Sequence, residues 1–365
     1  MIYLFATPTN YKNGKLTGAH RRFLELVQEF SKNDTVILIS GEIPQLEKNN
    51  NIIWYKISNH KNKFIPSHIA GMININKKLK QLKHKVTYDR AVSFGPTITI
   101  CYKVSGIHSI TSLFREDLIG YLKVVNTPKM KLLYYQWQEK IAVKASQKII
   151  VQCKNDKNNL IQRNEKYCKD IKDKVFIQIN NANASWMKVP NIRKEKENPI
   201  IKILFIGEFS NCRKGHGILL PVIAKLIDEG FSLELFVAGD GLEKDHYVHE
   251  YIAYPAIKFL GRVNNLQDYL AQSDFLVVPS LIDSCPNTVL EGLNAGIAVY
   301  GANTGGIPDL LQDSTYLFQP NTEELYNFLK QKIYTRQFAL DEKNQEKLKK
   351  SLTFNWARQI KDIIG

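Results

Sequence analysis

Apolar residues along this chain fall into short continuous runs, and these runs alternate with segments of helical period. Ile2-Tyr3-Leu4-Phe5-Ala6 predicts a buried strand. A polar, glycine-containing stretch from Thr7 to Gly18 follows it. Phe23, Leu24, Leu26, Val27 and Phe30 then recur at helical spacing within His20 to Phe30, and Thr35-Val36-Ile37-Leu38-Ile39 predicts the next strand. Strand, glycine loop, helix, strand is the order of a βαβ unit, which implies a parallel sheet. Ala91 to Phe94, Ile110 to Phe114 and Lys148 to Val151 predict further strands of that sheet.

The rhythm breaks near Asn180. Asn180-Asn181-Ala182-Asn183 is turn-rich, and Arg193 to Pro199 is charged and poor in apolar residues, as a linker would be. Beyond it the alternation restarts. Ile201 to Ile206, Leu233 to Ala238, Ile257 to Leu260, Phe275 to Pro279 and Ile297 to Tyr300 predict strands; Gly215 to Ile227 and Asn287 to Asn294 predict helices. The expectation is an α/β chain with two doubly wound units, residues 1–185 and 200–350, joined by 186–199. A last helix lies within 351–365. Ligands of such sheets sit beyond the carboxyl ends of the strands.

Charge changes this picture, because it is uneven. Residues 1–200 hold 34 Lys+Arg and 15 Asp+Glu, a net +19, and residues 201–365 hold 16 and 20, a net −4. Compositional bias would charge both halves alike. The first half is therefore expected to meet something anionic. Lys77-Lys78-Leu79-Lys80-Gln81-Leu82-Lys83-His84-Lys85 is its densest basic run, with Phe64, Ile65, Ile69, Met72, Ile73 and Ile75 upstream. Such a segment is either a soluble helix with a solvated lysine face or a surface for anionic membrane. Aromatic–basic interleaving and nucleic-acid motifs are missing, so no nucleic-acid partner is expected. No apolar run reaches the length of a membrane span, and the first residues lack the pattern of a secretory leader. The five cysteines are scattered, which fits reduced cytoplasmic thiols.

Three loops can carry chemistry. Asp283-Ser284-Cys285-Pro286-Asn287-Thr288-Val289-Leu290-Glu291 takes an apolar strand into a helix whose first-turn amides are free to meet a phosphate. Asp283 and Glu291 flank that position and can accept hydrogen bonds from polyol hydroxyls. The same residues also read as a turn acid, an N-cap and a surface glutamate. Gly207 to Gly215 also runs from strand to helix, and its Arg213 and Lys214 can clamp a diphosphate or be ordinary loop cations. Gly14 to Gly18 follows the first strand, where glycine allows close backbone approach or simple turning. GxGxxG, GxxxxGK[ST] and HExxH are all absent, which argues against a dehydrogenase, a P-loop NTPase and a zincin.

In order along the chain, these pieces resemble the retaining glycosyltransferases of family 4, which have the GT-B fold. The resemblance rests on Arg213-Lys214-Gly215, Phe236-Val237-Ala238-Gly239-Asp240-Gly241, Phe259-Leu260-Gly261-Arg262-Val263 and Ser273-Asp274-Phe275-Leu276. It continues through the acid-x7-acid motif from Asp283 to Glu291 and ends at Phe354-Asn355-Trp356, ahead of a helix that crosses back to the first domain. It implies transfer of a sugar from a nucleotide-sugar, a UDP-sugar by family frequency, to an acceptor hydroxyl with retention and without a metal or other cofactor. It also implies a glycan, polysaccharide or lipid-linked acceptor of the cell envelope, and together with the basic first half it gives the expectation of a cytoplasmic enzyme that docks on the inner membrane face or grips an anionic glycan.

By the same resemblance Glu291 binds the ribose and Asp283 the donor sugar. The amides of Asn287, Thr288 and Val289 meet the phosphates, and Lys214 with Arg213 neutralises the leaving diphosphate. Val263 contacts the base, and Gly18 approaches the phosphates from the other domain. The chain departs from the family at Asp283, where Glu is usual, and at Ser284 and the residues after it, where glycines are usual. Glu208 replaces an arginine and would repel a diphosphate unless it points away. Arg115 replaces a histidine near the reacting centre, with His108 as a second candidate. Glu208 leaves open a second reading, a silent nucleotide-sugar-binding subunit that partners an active transferase.

Overall fold

The computed structural model describes residues 1–8, 18–43, 46, 49–57, 67–182, 200–210, 212–336, 338, 348 and 350–365. The predicted linker, 186–199, lies outside them. Among the described residues the strands form two sheets, of seven and six strands, and every strand pair is parallel.

The first sheet contains β1 (Ile2–Ala6), β2 (Thr35–Ser40), β3 (Ile52–Lys56), β4 (Arg90–Phe94), β5 (Ile110–Phe114), β6 (Lys148–Val151) and β7 (Val175–Ile177), in the order 3-2-1-4-5-6-7. The second contains β8 (Ile201–Ile206), β9 (Leu233–Ala238), β10 (Ile257–Gly261), β11 (Phe275–Val278), β12 (Ala298–Ala302) and β13 (Leu317–Phe318), in the order 10-9-8-11-12-13. The order reverses between β1 and β4 in one sheet and between β8 and β11 in the other. Those reversals are the switch points at which a doubly wound sheet opens a crevice. The apolar runs are long because strands covered on both faces need no alternation. β5 and β11, for example, are buried at every position.

The last helix, Trp356–Ile364, lies against Gly18–Phe30 of the first domain. Asn355 caps it by accepting the Arg358 amide at 2.9 Å. Trp356, Ala357, Ile360 and Ile364 join a core cluster with Phe5, Phe23 and Phe30. Lys148 donates to the carbonyl oxygens of Ile363, at 2.6 Å, and Ile364. This cation at the helix C-terminus satisfies carbonyls that have no partner inside the helix.

The basic run lies at the end of helix Ser67–Leu82. Much of the apolar surface of this helix is already used: Ile75, Leu79 and Leu82 are buried against Leu4, Ile37 and Ile39. Ile69 and Ile73 remain exposed.

Candidate active site

The carboxyl ends of both sheets meet at a polar cavity of about 230 Å³. Its walls come from five strand ends: Arg115, Glu116 and Asp117 after β5, Gln152 after β6, Asn180 after β7, Arg213 and Lys214 after β8, and Ile282 to Thr288 after β11. A second, more apolar cavity of about 430 Å³ lies in the first domain, between Phe23, Phe94, Phe114, Ile119 and Tyr135. Arg115 and Glu116 line both cavities and so mark where they adjoin.

Lys214 and Asp283 are brought together from different loops. Lys214 Nζ donates to Asp283 Oδ2 at 2.5 Å, and both side chains are mostly buried. Backbone geometry explains the approach. Gly215 has φ of 80°, and a Cβ there would lie 2.0 Å from the Pro279 carbonyl oxygen, so only glycine lets the loop turn against β11. The Leu281 amide donates to the Arg213 carbonyl at 2.9 Å and ties the two loops together. The Asp283 loop is gripped from its other side. Thr304 Oγ1 donates to the Leu281 carbonyl, and the Gly306 amide donates to the Asp283 carbonyl at 2.9 Å. Sequence reasoning missed this second support, although Thr304-Gly305-Gly306 is a visible turn signal.

The helix Asn287–Ala295 opens on the polar cavity. Its N-cap, Pro286, has no side chain that could cap it. Asn287 Oδ1 and Thr288 Oγ1 are buried polar atoms without a hydrogen-bond partner. Buried polar atoms normally find partners, so these two leave the helix start polar and unsatisfied beside the cavity that both residues line. Val289 departs from expectation. It is fully buried and its amide donates to the Pro286 carbonyl at 3.1 Å, so the tightened first turn already uses it.

Glu291 sits one turn further along, partly buried. Burial pushes its carboxyl up to about 7, against the opposing pull of Arg21 and Lys214. Ser284 is buried and bridges the domains: the Asp117 amide donates to its Oγ at 3.4 Å. The Asn180 amide donates to Cys285 Sγ at 3.3 Å, a second cross-domain contact.

Arg213 pairs across the domains with Glu116 at 3.1 Å and lies over the Tyr121 ring. Arg115 was expected near the reacting centre, and it is followed by two acids that are both held elsewhere. Glu116 is held by Arg213, and Asp117 is buried and held by Arg163 at 2.8 Å. Arg163 also makes a two-pronged contact with Glu139 at 2.9 Å. Arg115 itself lines both cavities. His20, which sequence reasoning passed over, faces it in the apolar cavity. Burial, and then the Arg115 charge, holds the His20 imidazole below its usual value.

Two further expectations are corrected. His108 cannot lie near the cleft. It precedes β5, and all strand carboxyl ends face the cleft, so it sits exposed at the opposite edge, near Lys83 and Tyr88. Glu208 is exposed and does not line the polar cavity, so its carboxylate does not stand against an anion bound there. Its neighbour Phe209 turns inward and is fully buried against His216. Val263 follows β10, partly buried and outside the polar cavity's lining, and Gly18 opens the helix after β1.

His216 is the other residue missed. It is buried among Phe205, Phe209 and Tyr247, directly after the Lys214 loop, and its Nε2 has no partner. Burial pushes the imidazole down to about 4, so the ring is neutral and structural at physiological pH.

Two facing parallel sheets with these strand orders, and a polar cavity at the seam of their carboxyl ends, define a GT-B fold. The comparisons give the same class. Solved structures align over nearly the whole chain. A glycosyltransferase from Rickettsia africae has a TM-score of 0.71 at 18% identity, covering 100% of this chain and 97% of that one. Anabaena HepE in complex with UDP-glucose has a TM-score of 0.67 at 17% identity, covering 99% and 98%.

Residues 201–332 match the family model described as glycosyl transferases group 1, and they coincide with the second sheet and its helices. The match therefore falls on the C-terminal domain alone. Among curated proteins, CapJ of Staphylococcus aureus is 27% identical over 159 residues, 42% of this chain and 40% of CapJ. The chain matches about half or less of the length of the first curated relatives.

Among the described residues no helix is long and apolar enough to cross a membrane.

Proposed function

We propose that this chain is a retaining glycosyltransferase that moves a sugar from a UDP-sugar to an acceptor hydroxyl. One observation carries the reading: the helix that starts at Asn287 and Thr288, with first-turn amides that have no partner inside the helix, opens on a cavity that also holds Lys214, Arg213 and Arg115. A diphosphate supplies acceptors for the helix amides and for these cations. The choice of UDP draws on HepE, which binds UDP-glucose.

Glycosyl transfer builds negative charge on the departing phosphate. A helix N-terminus lies at that charge, and once Lys214 and Arg213 have exchanged Asp283 and Glu116 for the bound diphosphate, little reorganisation remains at the moment of reaction. Glu291, one turn inside the helix, accepts from the ribose hydroxyls. Asp283 accepts from the donor sugar once the diphosphate draws Lys214 away from it. The acceptor enters from the apolar cavity, past Arg115. The leaving phosphate takes the acceptor proton, so the site uses no carboxylate nucleophile and no metal.

Thermal-shift screening against nucleotide-sugars tests donor binding, because a ligand that binds the folded state raises its melting temperature. The reading expects stabilisation by a UDP-sugar and UDP release when acceptor is added. No shift with any nucleotide-sugar would overturn it. Stabilisation without UDP release, across suitable acceptors, would instead support the silent partner subunit.

A further inference from the structure

Helix Lys129–Ala145 of the first domain has two contrasting faces. Gln138, Glu139, Ala142 and Val143 are buried, and Tyr135, Gln138 and Glu139 form one wall of the apolar cavity. Met130, Leu133, Tyr134 and Trp137 recur three and four residues apart and therefore share another face. They are 79%, 58%, 41% and 56% exposed. Tyr134 stacks on Trp137, so the side chains organise one another without covering the patch.

Lysines rim this face. Lys129, Lys131 and Lys144 are exposed. Lys140 and Lys166 lie 3.3 and 4.9 Å from the centre of the exposed Tyr167 ring. The helix has a single acid, Glu139, which is buried and held by Arg163. The result is an aromatic and aliphatic patch on a helix whose exposed charges are all positive.

We propose that this face docks on an anionic lipid bilayer. Tryptophan and tyrosine favour the membrane interface, where an apolar ring and a polar edge are both satisfied. Each lysine near an anionic surface strengthens binding by roughly fivefold. A second copy of the chain would instead bring like-charged rims together. The basic run after Ser67–Leu82 is the weaker candidate, because that helix spends Ile75, Leu79 and Leu82 on its own core.

Docking stands on the helix alone. One consequence rests on the proposed function. The helix that meets the bilayer also walls the 430 Å³ cavity, so the acceptor chemistry it fits is a hydroxyl carried on a lipid.

Sedimentation with phosphatidylcholine vesicles, with and without phosphatidylglycerol, tests the proposal on the full chain. Binding is expected only to the anionic vesicles and should weaken with salt. Substituting Met130, Leu133 and Trp137 together by Ser should lower it by at least about tenfold. Lys129→Glu, Lys131→Glu and Lys144→Glu combined should do likewise, and Lys77→Glu with Lys78→Glu should do less.

Brominated lipid should quench Trp137 in the otherwise unaltered protein, with Trp137→Phe as reference, which keeps the test open if a multiple variant fails to fold. Wild-type protein left in the supernatant overturns the proposal. So does binding that both variant sets leave unchanged, or a dimer that the serine variant splits in the absence of vesicle binding. UDP-sugar binding is measured without vesicles, so failure of docking and failure of the transferase reading are separate results.

Discussion

The Lys214–Asp283 pair makes a prediction that ordinary active-site mutagenesis would not expect. At 2.5 Å, with side chains 16% and 14% exposed, the lysine is neutralised by the acid before any donor arrives. Breaking a fully buried pair by removing one partner costs about 3–5 kcal/mol, and water in the adjoining cavity reduces this to about 1–2 kcal/mol. Asp283→Asn removes the competing charge while keeping size and shape. The freed ammonium should then bind UDP tighter, by about 5–10-fold for about 1 kcal/mol released. Transfer should fall, because the same carboxylate is needed by the sugar that UDP lacks. Lys214→Met should weaken UDP by about 10–100-fold, the worth of one charged hydrogen bond. The double variant should bind UDP like Lys214→Met alone, since the acid acts through the lysine. Titration calorimetry of the four proteins at fixed ionic strength measures all of this. Weaker UDP binding by Asp283→Asn, or unchanged binding by Lys214→Met, would refute the assignment.

Glu291, with a carboxyl pushed up to about 7, should make UDP-sugar affinity rise as pH increases from 6 to 8, because the carboxylate accepts hydroxyl bonds better than the acid. Calorimetry across that range should show the step in wild type and a flat, weaker profile in Glu291→Gln. The same raised value means the native state binds more protons than the unfolded chain between about 4.5 and about 7. Stability without ligand should therefore fall as pH rises through that window and level off above it, and Glu291→Gln should melt higher than wild type at pH 8. Gly306→Ala would place a Cβ 1.8 Å from the Ser284 carbonyl oxygen and push the Asp283 loop away. It should destabilise by about 2 kcal/mol or more in denaturant titration and raise the KM for donor. Trp356→Ala should cost about 3–5 kcal/mol in the same assay, since it empties the joint between the last helix and the first domain.

β1, β2, β5, β6, β8, β9 and β11 were legible because each is a short, nearly continuous apolar run, whereas β7, only three residues long, was not. β3 was not, since Ile52–Lys56 is an edge strand with an exposed Ile53 and a polar approach, so its pattern is diluted. Helix Pro96–Val104 was hidden because Thr97-Ile98-Thr99-Ile100 alternates like a strand. Pro96 at the first turn and Gly95 at φ of 87° decide for helix. The site was legible where its residues sit together on one strand-to-helix loop, as Asp283 to Glu291 do. His20 and the 304–306 grip were not, because they reach the site only through tertiary packing. His108 was misplaced by two residues of loop that put it ahead of its strand and therefore at the wrong edge.

Charge explains why local geometry must do the binding. The first 200 residues carry a net +19, yet the polar cavity draws on that excess only through Arg115. The cavity's charged lining is Arg115, Arg213 and Lys214 against Glu116, Asp117 and Asp283, a formal balance of zero. Two of the three acids are bound to the two cations of the loop after β8: Glu116, from the other domain, to Arg213, and Asp283, from the loop after β11, to Lys214. A diphosphate therefore does not enter a preformed positive well. It must exchange partners with those carboxylates, and the first-turn amides of helix Asn287–Ala295 give it a foothold before the exchange. Affinity for the anion should consequently depend little on the protein's net charge and strongly on the two acids. The surplus lysines lie elsewhere, several of them on and beside helix Lys129–Ala145, where no carboxylate on the helix's exposed face offsets them.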